Sequence, residues 1–536
     1  MSEIVVDLMT EPAGVPRARA MLQRAQWAAL AFSRYDKASV DRIVSAAARA
    51  GAAKAREYAE WAVSETGYGV VEHKVLKNLA CSTGIVEAYR DHDYVSPRHD
   101  PTTKILEIPR PAGVVLALTP STNPVATVFF KALLCLMTRS VVIVSPHPMA
   151  KGVCADAART MAEAAVEAGA PDGVIQVVDE PSVPLINALM TDERTDVIVA
   201  TGGTAVVRSA YSSGTPAIGV GPGNVPVLVD ATADLALAAK RIVDSKSFDN
   251  SILCTNESVL ICEQSVVDHL VRHLHREGAY LLADEERDRV RQLLFPNGSF
   301  DLRFVGKDAA HIAGEAGIRV GGNTRILLAP FDLVVPEQPF AHEKLCPVLG
   351  LVAVPNVSRG IDAARAVLRI TGPGHSAAIH STDPRTIMDF GAAVRVLRVV
   401  VNVGNSLGSS GMETNLAPTM TIGTGYFGRS SVAENLQPKH FVQWTQVAYN
   451  AEASEPFGNF AGLTPWEHPQ GHVPPYPLAS KLGAEGPVPA SAMLAAGHFG
   501  DGAGPADREQ MSPESEGLRG EIRRMVLEEL SRIVKR

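Results

Sequence analysis

The chain has 536 residues, of which 46% are hydrophobic and 20% charged, a globular composition that excludes global disorder. A formal net charge of −8 argues against binding nucleic acid through charge alone, and no apolar run reaches the ~18–20 residues of a membrane span. The length predicts three to four domains at about 150 residues each. The opening MSEIVVDLMTEP places acids where a secretory leader would carry positive charge, so a cytoplasmic protein is expected. The cysteines, Cys81, Cys135, Cys154, Cys254, Cys262 and Cys346, show no CxxC spacing; this argues against a disulfide framework or zinc site, and no metal is expected.

Residues 16–90 read as helices: alanine is abundant, and apolar residues recur at three and four, as in DRIVSAAARAGAAKAREYAEWAVSE. Strand-like runs follow at 105–120, broken by proline, and at 141–146, ended by proline. A helical stretch at 154–169 closes on glycine, and strand-like runs return at 173–180 and 196–203. The segments 225–230, 258–263, 350–355 and 396–404 extend the alternation, which predicts parallel α/β sheets. Residues 451–514 are rich in Gly, Pro and Ala and show neither period, so a flexible linker is expected. In 515–536, Leu518, Ile522, Met525, Val526, Leu530, Ile533 and Val534 make one apolar stripe, opposite Arg519, Arg523, Arg524, Glu528 and Arg532.

Four segments carry chemistry. TPSTNP (119–124) follows a strand and offers Asn123, whose side-chain N–H could stabilise a developing oxyanion. TGGTAVVRSA (201–210) sets Gly202 and Gly203 between a strand and a helix, where the backbone can approach a ligand and the helix start favours phosphate. GVGPGNVPV (219–227) precedes SFDNSILCTNESV (247–259), and Cys254 lies 35 residues after Gly219. A cysteine between a polar loop and a short strand suits an exposed thiol better than a core filler.

Together these segments resemble the aldehyde dehydrogenase superfamily, over roughly 1–450. The resemblance implies an α/β fold: a variant Rossmann cofactor domain, an α/β catalytic domain and small oligomerisation strands, with the linker and an amphipathic helix beyond. The implied divisions are 1–222 for NAD binding (99–111 contributing to oligomerisation), 223–420 for catalysis, 421–450 for oligomerisation, 451–514 for the linker and 515–536 for the helix. Cys254 is the implied nucleophile and Asn123 the oxyanion donor. Thr119, Pro120, Ser145, His147, Gly202, Gly203, Gly219 and Glu343 are implied to bind cofactor, Glu343 through HEKLCPVLG (342–350) at the nicotinamide ribose. GHSAAIHS (374–381) resembles an acylating-branch segment, leaving His375 either near the site or structural. TGYFGRSSVAENL (424–436) resembles the segment packed beside the site.

Two departures point to the CoA-acylating branch. Hydrolytic members carry a water-activating glutamate where this chain has Gly219. In VVIVSPHP (141–148) Ile143 takes the place assigned to a cofactor-binding lysine, and SPHP resembles the acylating branch. A thiol acceptor needs less base assistance than water. The implied activity is oxidation of a small aldehyde to acyl-CoA with NAD and coenzyme A, by a homo-oligomer. A dehydrogenase making free acid and a non-catalytic scaffold are the alternatives. The tethered terminal helix resembles encapsulation peptides of microcompartment enzymes, which implies a shell or cargo partner for 515–536 and a location inside a bacterial microcompartment; a membrane-surface helix is the competing reading.

Overall fold

The computed structural model describes residues 12–466 and Tyr476. The amphipathic helix expected at 515–536 lies outside the described residues, as does most of the linker. The N-terminal region is helical as expected, with helices Val15–Phe32, Lys37–Ala53, Ala55–Thr66 and Val71–Leu79. The first buries Ala18, Leu22, Ala25, Ala28 and Phe32, one face of a helical period. Asp36 starts the second by accepting from the Ser39 N–H, and Gly67, at φ 71°, ends the third.

Three sheets follow. β1 (Arg98–Asp100), β2 (Ile105–Pro111) and β15 (Val442–Ala448) form an antiparallel sheet in the order β1-β2-β15. β2 holds two prolines in the middle of that order. They are tolerated because β1 pairs only with residues 105–107, leaving Pro109 and Pro111 with β15 alone.

The second sheet is fully parallel, in the order β5-β4-β3-β6-β7: β3 (Val114–Thr119), β4 (Val141–Pro146), β5 (Ile175–Val177), β6 (Val197–Thr201) and β7 (Ala217–Val220). β3 and β4 are buried along their whole length, as unbroken β-branched runs in a sheet covered on both faces should be. The chain winds from β3 outward to β5, then returns past β3 to β6, so a crevice opens at the carboxyl ends of β3 and β6.

The third sheet is also parallel, in the order β10-β11-β12-β9-β8-β13-β14, built from β8 (Val225–Val229), β9 (Glu257–Glu263), β10 (Ala279–Leu281), β11 (Ile326–Pro330), β12 (Val348–Val354), β13 (Ala377–His380) and β14 (Val399–Val401). Separate apolar clusters lie on its two faces, one around Ile261 and Leu327 and the other around Leu260 and Leu328, as alternate side chains of each strand require.

The stretch expected to be a linker does not begin at 451. Phe457 and Phe460 pack on Tyr449, and the Lys104 ammonium donates to the carbonyls of Asn450, Glu452 and Glu455. Trp466 covers the buried Arg139 guanidinium at 4.0 Å and donates from its indole N–H to the Val95 carbonyl. Aromatic residues spaced through a Gly/Pro-rich stretch anchor this part to the body. Among the described residues no helix is long and apolar enough to cross a membrane.

Candidate active site

The crevice is a cleft of about 740 Å³. Its wall is made where strands of the second sheet end: Thr119–Asn123 after β3, Ser145–Pro148 after β4, Pro181–Val183 beyond β5, Thr201–Gly203 after β6 and Val220–Pro222 after β7. Cys254 and Glu343 close the other side. Nine of the residues singled out in the sequence therefore share one cavity: Thr119, Pro120, Asn123, Ser145, His147, Gly202, Gly203, Cys254 and Glu343.

Two expectations need correction. Gly219 does not line the cleft. It lies within β7, where a Cβ would come within 2.6 Å of both Tyr211 and Val207. The Tyr211 hydroxyl accepts from the Gly219 N–H at 2.8 Å, so this backbone is held against the helix Thr204–Ser212 and no side chain fits between. Ile143 is likewise buried in the middle of β4, and the position of that strand facing the cleft is Ser145. The comparison of Ile143 with a cofactor lysine was out of place along the strand.

Cys254 is partly exposed and the other five cysteines are buried. It follows a tight turn in which Asp249, Asn250 and Ser251 all have positive φ, at 49°, 52° and 65°. Three consecutive non-glycine residues in the left-handed region are costly and persist only where surrounding contacts hold them. Here the Asp249 carboxylate accepts from the Val70 N–H, while the Asp249 N–H donates to His73 Nδ1. Across from Cys254, the Gly223 N–H donates to Glu343 Oε1 at 3.2 Å. A Cβ on Gly223 would sit 2.1 Å from the Cys254 carbonyl oxygen and 3.5 Å from the His375 ring, so only glycine lets these loops meet. His375 is thus beside the site but buried behind Gly223; its Nδ1 bonds to the Ser376 hydroxyl and its Nε2 has no partner among the described residues.

Burial, then the neighbouring Glu343 carboxyl, push the Cys254 thiol up to about 12, with Arg398 opposing them. Burial raises Glu343 to about 8 against the Gly223 N–H and the charges of Lys246 and Lys344. The thiolate fraction of Cys254 then rises with pH until the thiol's own range is reached. Alkylation of Cys254 by iodoacetamide should therefore accelerate steadily from pH 7 to pH 10 without a plateau. A plateau below pH 9, read by peptide mass spectrometry against time, would show a thiol that is not raised.

The β6 end of the cleft suits a dinucleotide. Gly203 has no heavy atom within 4 Å of where its Cβ would be, and Gly202 only Val206, at 4.0 Å. Among the described residues no side chain caps the helix Thr204–Ser212 at Gly203, whose carbonyl accepts from the Val206 N–H, and a helix start favours an anion. Beneath the cleft, the buried Lys131 donates to the carbonyls of Leu118 and Val199 at 2.7 and 3.0 Å, tying the ends of β3 and β6 together.

Residues 9–293 match the model of the aldehyde dehydrogenase family. The chain belongs to that family. An aldehyde-alcohol dehydrogenase of Clostridium acetobutylicum is 40% identical over 430 residues, covering 78% of this chain and 49% of that protein. The chain thus spans about half the length of such relatives. The crystal structure of an acetylating aldehyde dehydrogenase from Geobacillus thermoglucosidasius superposes with a TM-score of 0.81 at 37% identity, over 83% of this chain and 98% of that one. A Rhodopseudomonas palustris propionaldehyde dehydrogenase, solved with bound CoA and an acylated cysteine, gives 0.74 at 29% identity, over 81% and 97%.

The sequence reading missed the residues that support Asn123. Its amide oxygen accepts from Lys77 Nζ at 2.5 Å, and Lys77 and Lys74 both pair with Asp249. The signal was present as two lysines three apart on a helix, too generic a spacing to distinguish from a solvated face.

Proposed function

We propose that the chain is an NAD-dependent, CoA-acylating aldehyde dehydrogenase acting on a small aliphatic aldehyde. The observation that carries this reading is a cleft in which the partly exposed Cys254 stands with Asn123 and Glu343. Among the cleft-lining residues Glu343 is the only carboxylate, and it is held by the Gly223 N–H. His147, the imidazole on the cleft wall, accepts from the Met149 N–H through Nδ1, and in this reading the acyl group waits on Cys254 for a better nucleophile than water.

In this reading Cys254 Sγ attacks the aldehyde carbonyl carbon, and the Asn123 side-chain N–H with a backbone N–H holds the oxyanion. A nicotinamide bound here would supply a hydride acceptor. Gly202, Gly203 and the uncapped helix start beside them would hold its pyrophosphate, with Thr119, Pro120, Ser145 and His147 along the wall and Glu343 at the nicotinamide ribose. The CoA thiol then takes the acyl group, and Cys254 regains its proton. The gathering of Cys254, Asn123 and Glu343 in one cleft disfavours a non-catalytic scaffold. Steady-state NADH formation should require CoA, with ping-pong initial-rate patterns. Sustained turnover to free acid without CoA, followed by chromatography, would replace this reading with the hydrolytic one.

Among the described residues β15 has one unpaired edge, and its exposed Val447 with that edge favours a homo-oligomer in which a second copy covers it. For 515–536 the apolar stripe supports docking on a microcompartment shell or cargo protein. Fused to a fluorescent protein, 515–536 should carry it into shells, and Ile522→Glu with Leu530→Glu should return it to the cytosol. A reporter that co-sediments with anionic vesicles instead would favour the membrane-surface reading.

A further inference from the structure

We infer that Lys77, clamped by Asp249, is a positioning residue that sets which end of the Asn123 amide faces the cleft, and so couples the oxyanion donor to the turn that carries Cys254. The inference rests on the proposed role of Asn123.

An ammonium group has three donors and no acceptor, so only the amide oxygen of Asn123 can face Lys77. Lys77 Nζ donates to Asn123 Oδ1 at 2.5 Å, which leaves the NH2 end as the one turned from the lysine. Asn123 Nδ2 donates to the Thr122 hydroxyl at 3.2 Å, but a hydroxyl can also donate to an oxygen, so without the lysine that contact does not distinguish the two ends of the amide. A flipped amide would present an oxygen to a developing oxyanion, which repels it.

The clamp is buried and multiply held. The Lys77, Lys74 and Asp249 side chains are 1%, 4% and 0% exposed. Asp249 Oδ2 pairs with both lysines, and Asp249 Oδ1 accepts from the Val70 N–H at 2.6 Å. Lys74 reaches on to the Thr122 carbonyl at 3.3 Å, so the pair grips adjacent residues of one loop. His73 from the same helix accepts from the Asp249 N–H at 2.8 Å and stacks on Phe248, with ring centroids 4.5 Å apart. The helix Val71–Leu79 therefore ties the Asn123 loop to the Cys254 turn through the same two ammonium groups, and holds the turn through His73 as well. Cys254 lies five positions after Asp249, and Asp249 and the two left-handed residues that follow it are the strain the clamp holds in place.

The test compares Lys77→Met, Lys77→Leu, Asn123→Ala, and the combination of Lys77→Met with Asn123→Ala. Two rates are read in the NAD-loaded protein: single-turnover NADH formation from aldehyde, and alkylation of Cys254 by iodoacetamide. Alkylation is a displacement at carbon that develops no carbonyl oxyanion, so an effect confined to the Asn123 amide leaves it unmoved, whereas a collapsed Cys254 turn slows it. Asn123→Ala should slow the single turnover about 10²-fold, and Lys77→Met at least about 10-fold, with alkylation changed less than about 3-fold in either. On the Asn123→Ala background, Lys77→Met should cost less than about 3-fold more, because the group it positions is gone. A Lys77→Met enzyme as fast as the wild type overturns the inference. So do losses that multiply in the combination, or alkylation that falls in parallel with the single turnover. If Lys77→Met does not fold, Lys77→Leu takes its place under the same criteria. Wild-type speed in Asn123→Ala would instead remove the oxyanion role itself, a distinct outcome.

Discussion

Replacing Cys254 with alanine should abolish aldehyde-dependent NADH formation, a loss on the order of 10⁶-fold by comparison with removal of other catalytic nucleophiles. The reaction needs a covalent acceptor for the aldehyde carbon, and no other cysteine is placed to substitute. Cys262 is buried in β9, and Cys346 is buried and absent from the cleft wall. Cys262→Ala and Cys346→Ala should keep most of the rate. Activity surviving in Cys254→Ala, with the purified protein shown by mass to carry the substitution, would remove the covalent mechanism. Loss of activity in Cys346→Ala with the fold intact would move the nucleophile away from Cys254.

Asp249→Ala should destabilise the fold by about 3–5 kcal/mol, since it strips the carboxylate from two buried ammonium groups. Burial opposes ionisation of Asp249, but Lys77, Lys74 and the Val70 N–H outweigh it and hold the carboxyl below the usual range. A depressed carboxyl contributes stability that is present above its unfolded value, about 3.9, and is lost as pH falls through the folded value. The stability gap between wild type and Asp249→Ala should therefore be full at pH 7 and narrow below about pH 4. Urea unfolding across that range measures it. A gap under about 1 kcal/mol at pH 7 would mean the triad is no better than a surface ion pair.

Much of the architecture was readable because buried parallel strands are continuous apolar runs and their helices keep a 3.6 period. VVIVSP became β4 residue for residue, and the run at 225–230 became β8. The strands that escaped are of two kinds. β10 has three residues, and β13 sits in GHSAAIHS, where polar flanks and alanines hide a buried core strand. β15 alternates as VQWTQVA, a pattern that says nothing about which strand it pairs with, 331 to 343 residues earlier in the chain.

The site divided along similar lines. Glycines, Asn123 and Cys254 stand in local motifs at strand ends, and a motif at a strand end is already near the crevice. Gly219 was misplaced because spacing along a chain does not reveal which way a strand position faces; the Tyr211 and Val207 side chains that fill its space come from the preceding helix. The Lys77–Asp249 clamp joins residues 172 apart in sequence, a relation that only the folded chain displays.

The central claim is that Cys254 carries an acyl group that water does not remove and CoA does. The decisive measurement is the mass of the Cys254 peptide after a quenched turnover with aldehyde and NAD. Without CoA, a stoichiometric acyl adduct should persist on Cys254; on adding CoA it should vanish as acyl-CoA appears. An adduct that decays to free acid at the steady-state rate before CoA is added, or one found on another residue, would contradict the account.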